Sequence, residues 1–126
     1  MAIDDGYTSL LMHFDGVGAT CTEETGKVFT ANGNATQSVL QSKFGGKSLY
    51  LDGVGDYLSK GSGSYTDLFF STNNFTIDTW LYVTSPPVST TEHRTILSYY
   101  GSSTNYWRLS IYNNAGTMEW NFTVNS

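Results

Sequence analysis

Cysteine is nearly absent: Cys21 is the single one among 126 residues. That excludes an intrachain disulfide and a cysteine-built zinc cage. Proline occurs twice, at the adjacent Pro86 and Pro87, so Pro-rich and collagen-like repeats are excluded despite thirteen glycines. Charged residues make up only 13% of the chain, with six basic against eleven acidic, giving a net charge of −5. No basic run exists, which argues against a nucleic-acid groove or an anionic membrane surface as partner. Nowhere do eighteen apolar residues run together, so no membrane-spanning helix is expected. The opening MAIDDGYTSLL has neither the basic nor the apolar region of a secretory leader. An extracellular role would then require release by lysis or carriage on a larger particle.

Aromatic bulk is abundant, at 15% of residues, which excludes a disordered chain. Gly, Ser, Thr and Asn are plentiful, while Lys, Arg and Glu are scarce. This is strand-and-turn composition. Apolar residues alternate with a period of two and show no helical spacing over ten or more positions. The alternation predicts strands at 10–15, 27–31, 48–52, 57–59, 75–84 and 94–100. The segment 75–84 is expected to be the strongest, a central strand covered on both faces, because Phe75, Ile77, Leu81 and Val83 oppose Trp80 and Tyr82. Residues 61–74 read as a loop with Leu68, Phe69 and Phe70 tucked beneath it.

The last thirty residues predict a hairpin with the four-residue loop Asn113-Asn114-Ala115-Gly116. Tyr112 would then pair with Thr117. Trp107 would face Phe122, Leu109 would face Trp120, and Ile111 would face Met118, giving one buried cluster. Arg108 and Glu119 would lie on a diagonal of the outer face. Short strands separated by turns roughly every ten residues predict an all-β fold, a two-sheet antiparallel β-sandwich of jelly-roll type over 1–126 as a single domain.

The residues offer little catalytic chemistry. The paired carboxylates of a jelly-roll glycosidase need a Glu-x-Asp-x-x-Glu strand, and none exists. Asp78 and Glu119 stand alone, and Glu23 and Glu24 are adjacent in a loop, so all four read as surface charges. His13 and His93 have no ligand at metal spacing. No G-x-S-x-G elbow accompanies the serines. Cys21, in the polar stretch ATCTEE, reads as a passive thiol. The expectation is a protein that is not an enzyme.

Two binding patterns remain. Asp52 and Asp56 flank a glycine turn with free carbonyls, which suits calcium as the one possible cofactor. Aspartates capping a tight connection have the same pattern. Tyr106, Arg108 and Tyr112 share the outward face of one strand, and Tyr99 or Tyr100 could join from its neighbour. The candidate glycan set is Tyr99, Tyr106, Arg108 and Tyr112, against the alternative that these rings simply pack beneath a second layer.

The stretches SLLMHFDG (9–16), SKFGGKSLYLDGVGDYL (42–58), NFTIDTWLYV (74–83) and NYWRLSIY (105–112) together resemble a laminin-G-like, concanavalin A-like jelly roll. The likeness covers nearly the whole chain and is closest to copies in bacteriophage and prophage structural, tail, fibre and decoration proteins. It implies a non-enzymatic virion module on a capsid or tail, able to bind a host-surface glycan. Its other implied partners are further virion proteins, or copies of itself joined through sheet edges. The alternative is a lectin-like, carbohydrate-binding module of a bacterial surface or secreted protein. A full domain of that family has further strands after the point corresponding to Ser126. The resemblance therefore implies a domain lacking its C-terminal strands, with an edge for residues beyond 126, another copy or another protein to cover.

Overall fold

The computed structural model describes residues 5–61, 65–70 and 73–125, with the backbone alone for Thr20 and Thr22. The fold is all-β, every strand pairing is antiparallel, and no α-helix occurs among the described residues. The chain divides into two compact units, 1–63 and 64–126.

The first unit holds two small sheets. Strands β1 (Thr20–Thr22), β2 (Val28–Asn32) and β5 (Tyr57–Ser59) form one in the order β1-β2-β5. Strands β3 (Thr36–Ser38) and β4 (Ser48–Tyr50) form the other. The turn from β1 to β2 is built around Glu23. Its carboxylate accepts from the backbone N–H of Thr25 at 2.9 Å and of Leu11 at 3.3 Å, from the Lys27 N–H, and from Thr25 Oγ1 at 2.7 Å. Glu23 is only 3% exposed, which corrects its reading as a surface charge. Burial alone would raise its pKa. The hydrogen bonds from Thr25, Lys27 and Leu11 outweigh that and hold the carboxyl below its ordinary range.

The strands read from 27–31, 48–52 and 57–59 are present within a residue or two at each end. The expected strand at 10–15 carries no ladder, and Phe14 takes a left-handed φ of 56°. Cys21 belongs to a strand rather than a loop. It is buried, and its thiol is pushed up by burial, against a weak hydrogen bond from Gln37 Nε2 at 3.7 Å. Cys21 thus remains a thiol at neutral pH, the poorly reactive form.

The second unit is one three-stranded meander, β6 (His93–Ser102), β7 (Asn105–Asn114) and β8 (Thr117–Asn125), preceded by a 3-10 turn at Thr66–Leu68. Trp107 and Ile111 are its buried apolar residues. Trp107 stacks on Phe70 at 4.7 Å between ring centroids, and its indole N–H donates to the Leu68 carbonyl at 2.6 Å. Phe75 and Phe122 extend the cluster. Leu68, Phe69 and Phe70 are therefore packed as expected, although 62–64 and 71–72 of that loop lie outside the described residues.

Two expectations are corrected in this unit. The segment 75–84 carries no strand, and Trp80 and Tyr82 are 62% and 69% exposed. Propensity shows that a segment suits a sheet; only a partner backbone makes it a strand. The hairpin turn has two residues, Ala115 and Gly116, and Asn114 pairs with Thr117. Both turn residues have positive φ, 50° and 95°, the type I′ pattern that matches strand twist. The register is displaced by two residues from the expected one: Leu109 faces Phe122 and Ile111 faces Trp120. A shift of two keeps every side chain on its expected face. The cluster is smaller than expected all the same, because Trp120 is 59% exposed.

Candidate functional site

The two faces of the β6–β7–β8 sheet differ. Strand pairing puts Tyr99 beside Trp107 on the face that meets the 66–70 segment, and Tyr100 beside Tyr106 on the other. Ser98 and Arg108 are paired next in line on that other face. The Tyr100 and Tyr106 rings stack with centroids 6.2 Å apart and an interplanar angle of 26°. Together with Arg108 they border an open hollow of about 330 Å³, completed by Ser98, Tyr99 and Trp107.

Arg108 is held by its strand at the wall of this hollow. Its Nε is buried and has no hydrogen-bond partner among the described residues. A buried guanidinium donor without an acceptor is costly. The arrangement therefore sets a stacked tyrosine pair beside an arginine at one open hollow. Such a surface takes a ligand with an apolar ring face and acceptor oxygens at its rim.

The sequence-derived candidates separate accordingly. Tyr106 and Arg108 stand together as expected. Tyr99 borders the hollow, but its ring stacks on Phe69 at 6.0 Å, on the inner face. Tyr100 supplies the second platform ring. Pairing register alone distinguishes these neighbouring tyrosines. Tyr112 lies outside the hollow. Its hydroxyl donates to Glu119 Oε2 at 2.7 Å and its ring stacks on His93 at 5.3 Å. The Glu119 hydrogen bond, with partial burial, raises the phenol pKa, while the same bond and one from Asn114 Nδ2 at 2.9 Å lower that of Glu119. The expected Arg108–Glu119 diagonal is replaced by a direct Tyr112–Glu119 pair.

The calcium candidates in the first unit have their oxygens engaged. Asp52 Oδ1 accepts from the Val54 N–H at 2.7 Å and Oδ2 from Asn34 Nδ2 at 2.9 Å. Asp56 Oδ1 accepts from the Asn34 N–H and Oδ2 from the Asp52 N–H, both at 2.8 Å. The hydrogen bond from Asn34, then that from Val54, lowers the Asp52 pKa. These bonds are those of a turn cap. Among the described residues no three His, Cys, Asp or Glu side chains gather as a metal would require.

Other reactive pairs are isolated. His93 Nδ1 lies 3.5 Å from Ser110 Oγ, but Ser110 is fully buried, out of a substrate's reach. His13 Nδ1 sits 3.4 Å from Glu24 Oε1, an ion pair when the imidazole is protonated. Asp78 borders an apolar hollow of about 390 Å³ on the inner face, with Phe75, Ile77, Leu109, Trp120 and Phe122. Comparison of the chain with protein-family models, curated proteins and solved structures gave no match.

Proposed function

We propose that this chain is a non-enzymatic binding module that recognises a glycan through Tyr100, Tyr106 and Arg108. The observation that carries the reading is the stacked Tyr100–Tyr106 pair with Arg108 at the wall of the same open hollow. Sugar rings present C–H faces to aromatic platforms and hydroxyl or carboxylate oxygens to a guanidinium. The setting proposed is the one its motifs resemble: a jelly-roll module on the surface of a phage-like virion, in the capsid decoration or the tail, whose sheets belong to a two-sheet sandwich. A lectin-like module of a bacterial surface protein would use the same face in the same way.

The test is titration of the isotopically labelled chain with bacterial surface oligosaccharides, followed by NMR. Shifts should concentrate at 98–100 and 106–108. Arg108→Ala and Tyr106→Ala should each weaken binding at least about tenfold, as for other central contacts. Tyr112→Phe should leave binding unchanged, because that hydroxyl is committed to Glu119. Binding that survives Arg108→Ala, or shifts confined to the other face, would refute the site.

A further inference from the structure

The meander has two edges, and they are built differently. The β6 edge is irregular, with register shifts between Thr95 and Leu97 and between Tyr100 and Ser102. Arg94 stands on it, ion-paired with Glu92 at 2.6 Å. Bulges and charges are the ordinary means of preventing a sheet edge from pairing with another chain. The β8 edge has neither device. It runs nine residues in unbroken register with β7, without Pro, Lys or Arg. Its one charged residue, Glu119, is turned back toward β7, where Tyr112 and Asn114 hold both carboxylate oxygens. One face of β8 is apolar and open: Met118, Trp120, Phe122 and Val124 are between 39% and 59% exposed. Among the described residues its backbone pairs with β7 alone.

We infer that β8 pairs antiparallel with β8 of a second copy of this chain, about a two-fold axis at Asn121, joining two meanders into one continuous sheet. The sequence of the strand is self-complementary in that register. Trp120 meets Phe122 and Met118 meets Val124 on the apolar face. Glu119 meets Thr123 and Thr117 meets Asn125 on the polar face, so no like charges oppose each other. All nine residues are paired. A slip of one step that keeps apolar against apolar leaves two residues of each copy unpaired. The next slip toward the turn sets Glu119 against Glu119, which is repulsive. At the axis the two Asn121 side chains face each other, and each already accepts from its own Thr123 Oγ1 at 2.9 Å. A two-fold contact is closed, so it removes the edge from both copies at once. A foreign strand would need its own matching sequence, whereas the second copy carries one already.

Asn121 makes the inference testable by charge exchange. Sedimentation velocity of the chain from about 1 to 100 µM, a span that covers ordinary self-association, should show a monomer–dimer equilibrium. Asn121→Lys and Asn121→Asp each place like charges face to face, and each should raise the dimer dissociation constant at least about tenfold. An equimolar mixture of the two variants should recover the dimer, and that recovery also shows that both are folded. Three results would each overturn the inference: a wild-type chain that stays monomeric throughout, a dimer that Asn121→Lys leaves intact, or a mixture that does not recover. Glycan binding, assigned to β6 and β7 and not to the β8 edge, is measured separately and can fail or succeed without affecting this result.

Discussion

At the scale of single residues, three positions hold the local geometry. Glu23 closes the first turn as a buried acceptor of main-chain hydrogen bonds. Glu23→Gln should lower stability at pH 7 by about 1.5–3 kcal/mol, the range for hydrogen bonds to a charged group. The sign of its pH dependence follows from its lowered pKa. Its carboxylate contributes fully above the ordinary carboxylate range, and that contribution is lost as pH falls through the lower folded-state value. Wild type and Glu23→Gln should thus converge in urea unfolding as the pH is taken below about 4. Gly33 has φ of 69°, and a Cβ there would lie 2.4 Å from Asp56 Oδ1 and 2.9 Å from the Gly55 carbonyl. Gly33→Ala should cost about 1–3 kcal/mol or more, from backbone strain together with displacement of the Asp56 cap. Ala115 is the opposite case, a residue with a side chain in a left-handed turn position. Ala115→Asn should raise the melting temperature, by an amount equivalent to about 0.5–1 kcal/mol.

At the scale of elements, the hairpin shows what alternation does and does not carry. Its two strands were legible from Trp107-Leu109-Ile111 and Met118-Trp120-Phe122-Val124, and so were their faces. The turn was not, because Ala at a positive φ is disfavoured and the residue types suggested a four-residue loop. The observed two-residue turn satisfies the strand twist, and Asn113 Oδ1 supports it by accepting from the Gly116 N–H at 2.8 Å. Burial within the element follows from its neighbours. Trp107 is 4% exposed beneath Phe70, whereas Trp120 sits on the edge strand. Trp107→Ala should therefore cost about 3–5 kcal/mol. Trp120→Ala should cost the monomer only about 1 kcal/mol, in proportion to its partial burial. Urea unfolding of both variants in dilute solution checks the ratio.

At the scale of the whole molecule, apolar surface is spread widely outside the core. Trp80 and Trp120 are more than half exposed and Trp107 is buried. Acrylamide quenching of the dilute chain should find two accessible tryptophans and one protected. In the double variant Trp80→Phe with Trp120→Phe, the remaining emission should be blue-shifted and resistant to quencher. Protection of Trp80 would mean that the 75–84 segment is covered, as the sequence alone suggested. The charge balance acts at this scale too. A net charge of −5 with few basic residues leaves Arg108 as an uncommon cation on an acidic molecule. Its contribution to binding depends on local geometry and not on a general positive field.

The all-β class, the positions of most paired strands and the absence of a helical pattern were fixed by composition and by two-residue alternation. These are local properties, set by backbone sterics and by which side chains suit a pleated surface. Tertiary structure decided everything that depends on a partner. It left 75–84 without a ladder, buried Glu23 because its own turn and the distant Leu11 direct N–H groups at it, and used the oxygens of Asp52 and Asp56 to cap a turn. It also chose Tyr100 over Tyr99 for the outer face. Two adjacent tyrosines are equivalent in a sequence. They differ only once a neighbouring strand fixes the register, because each step along a strand reverses the face to which a side chain points.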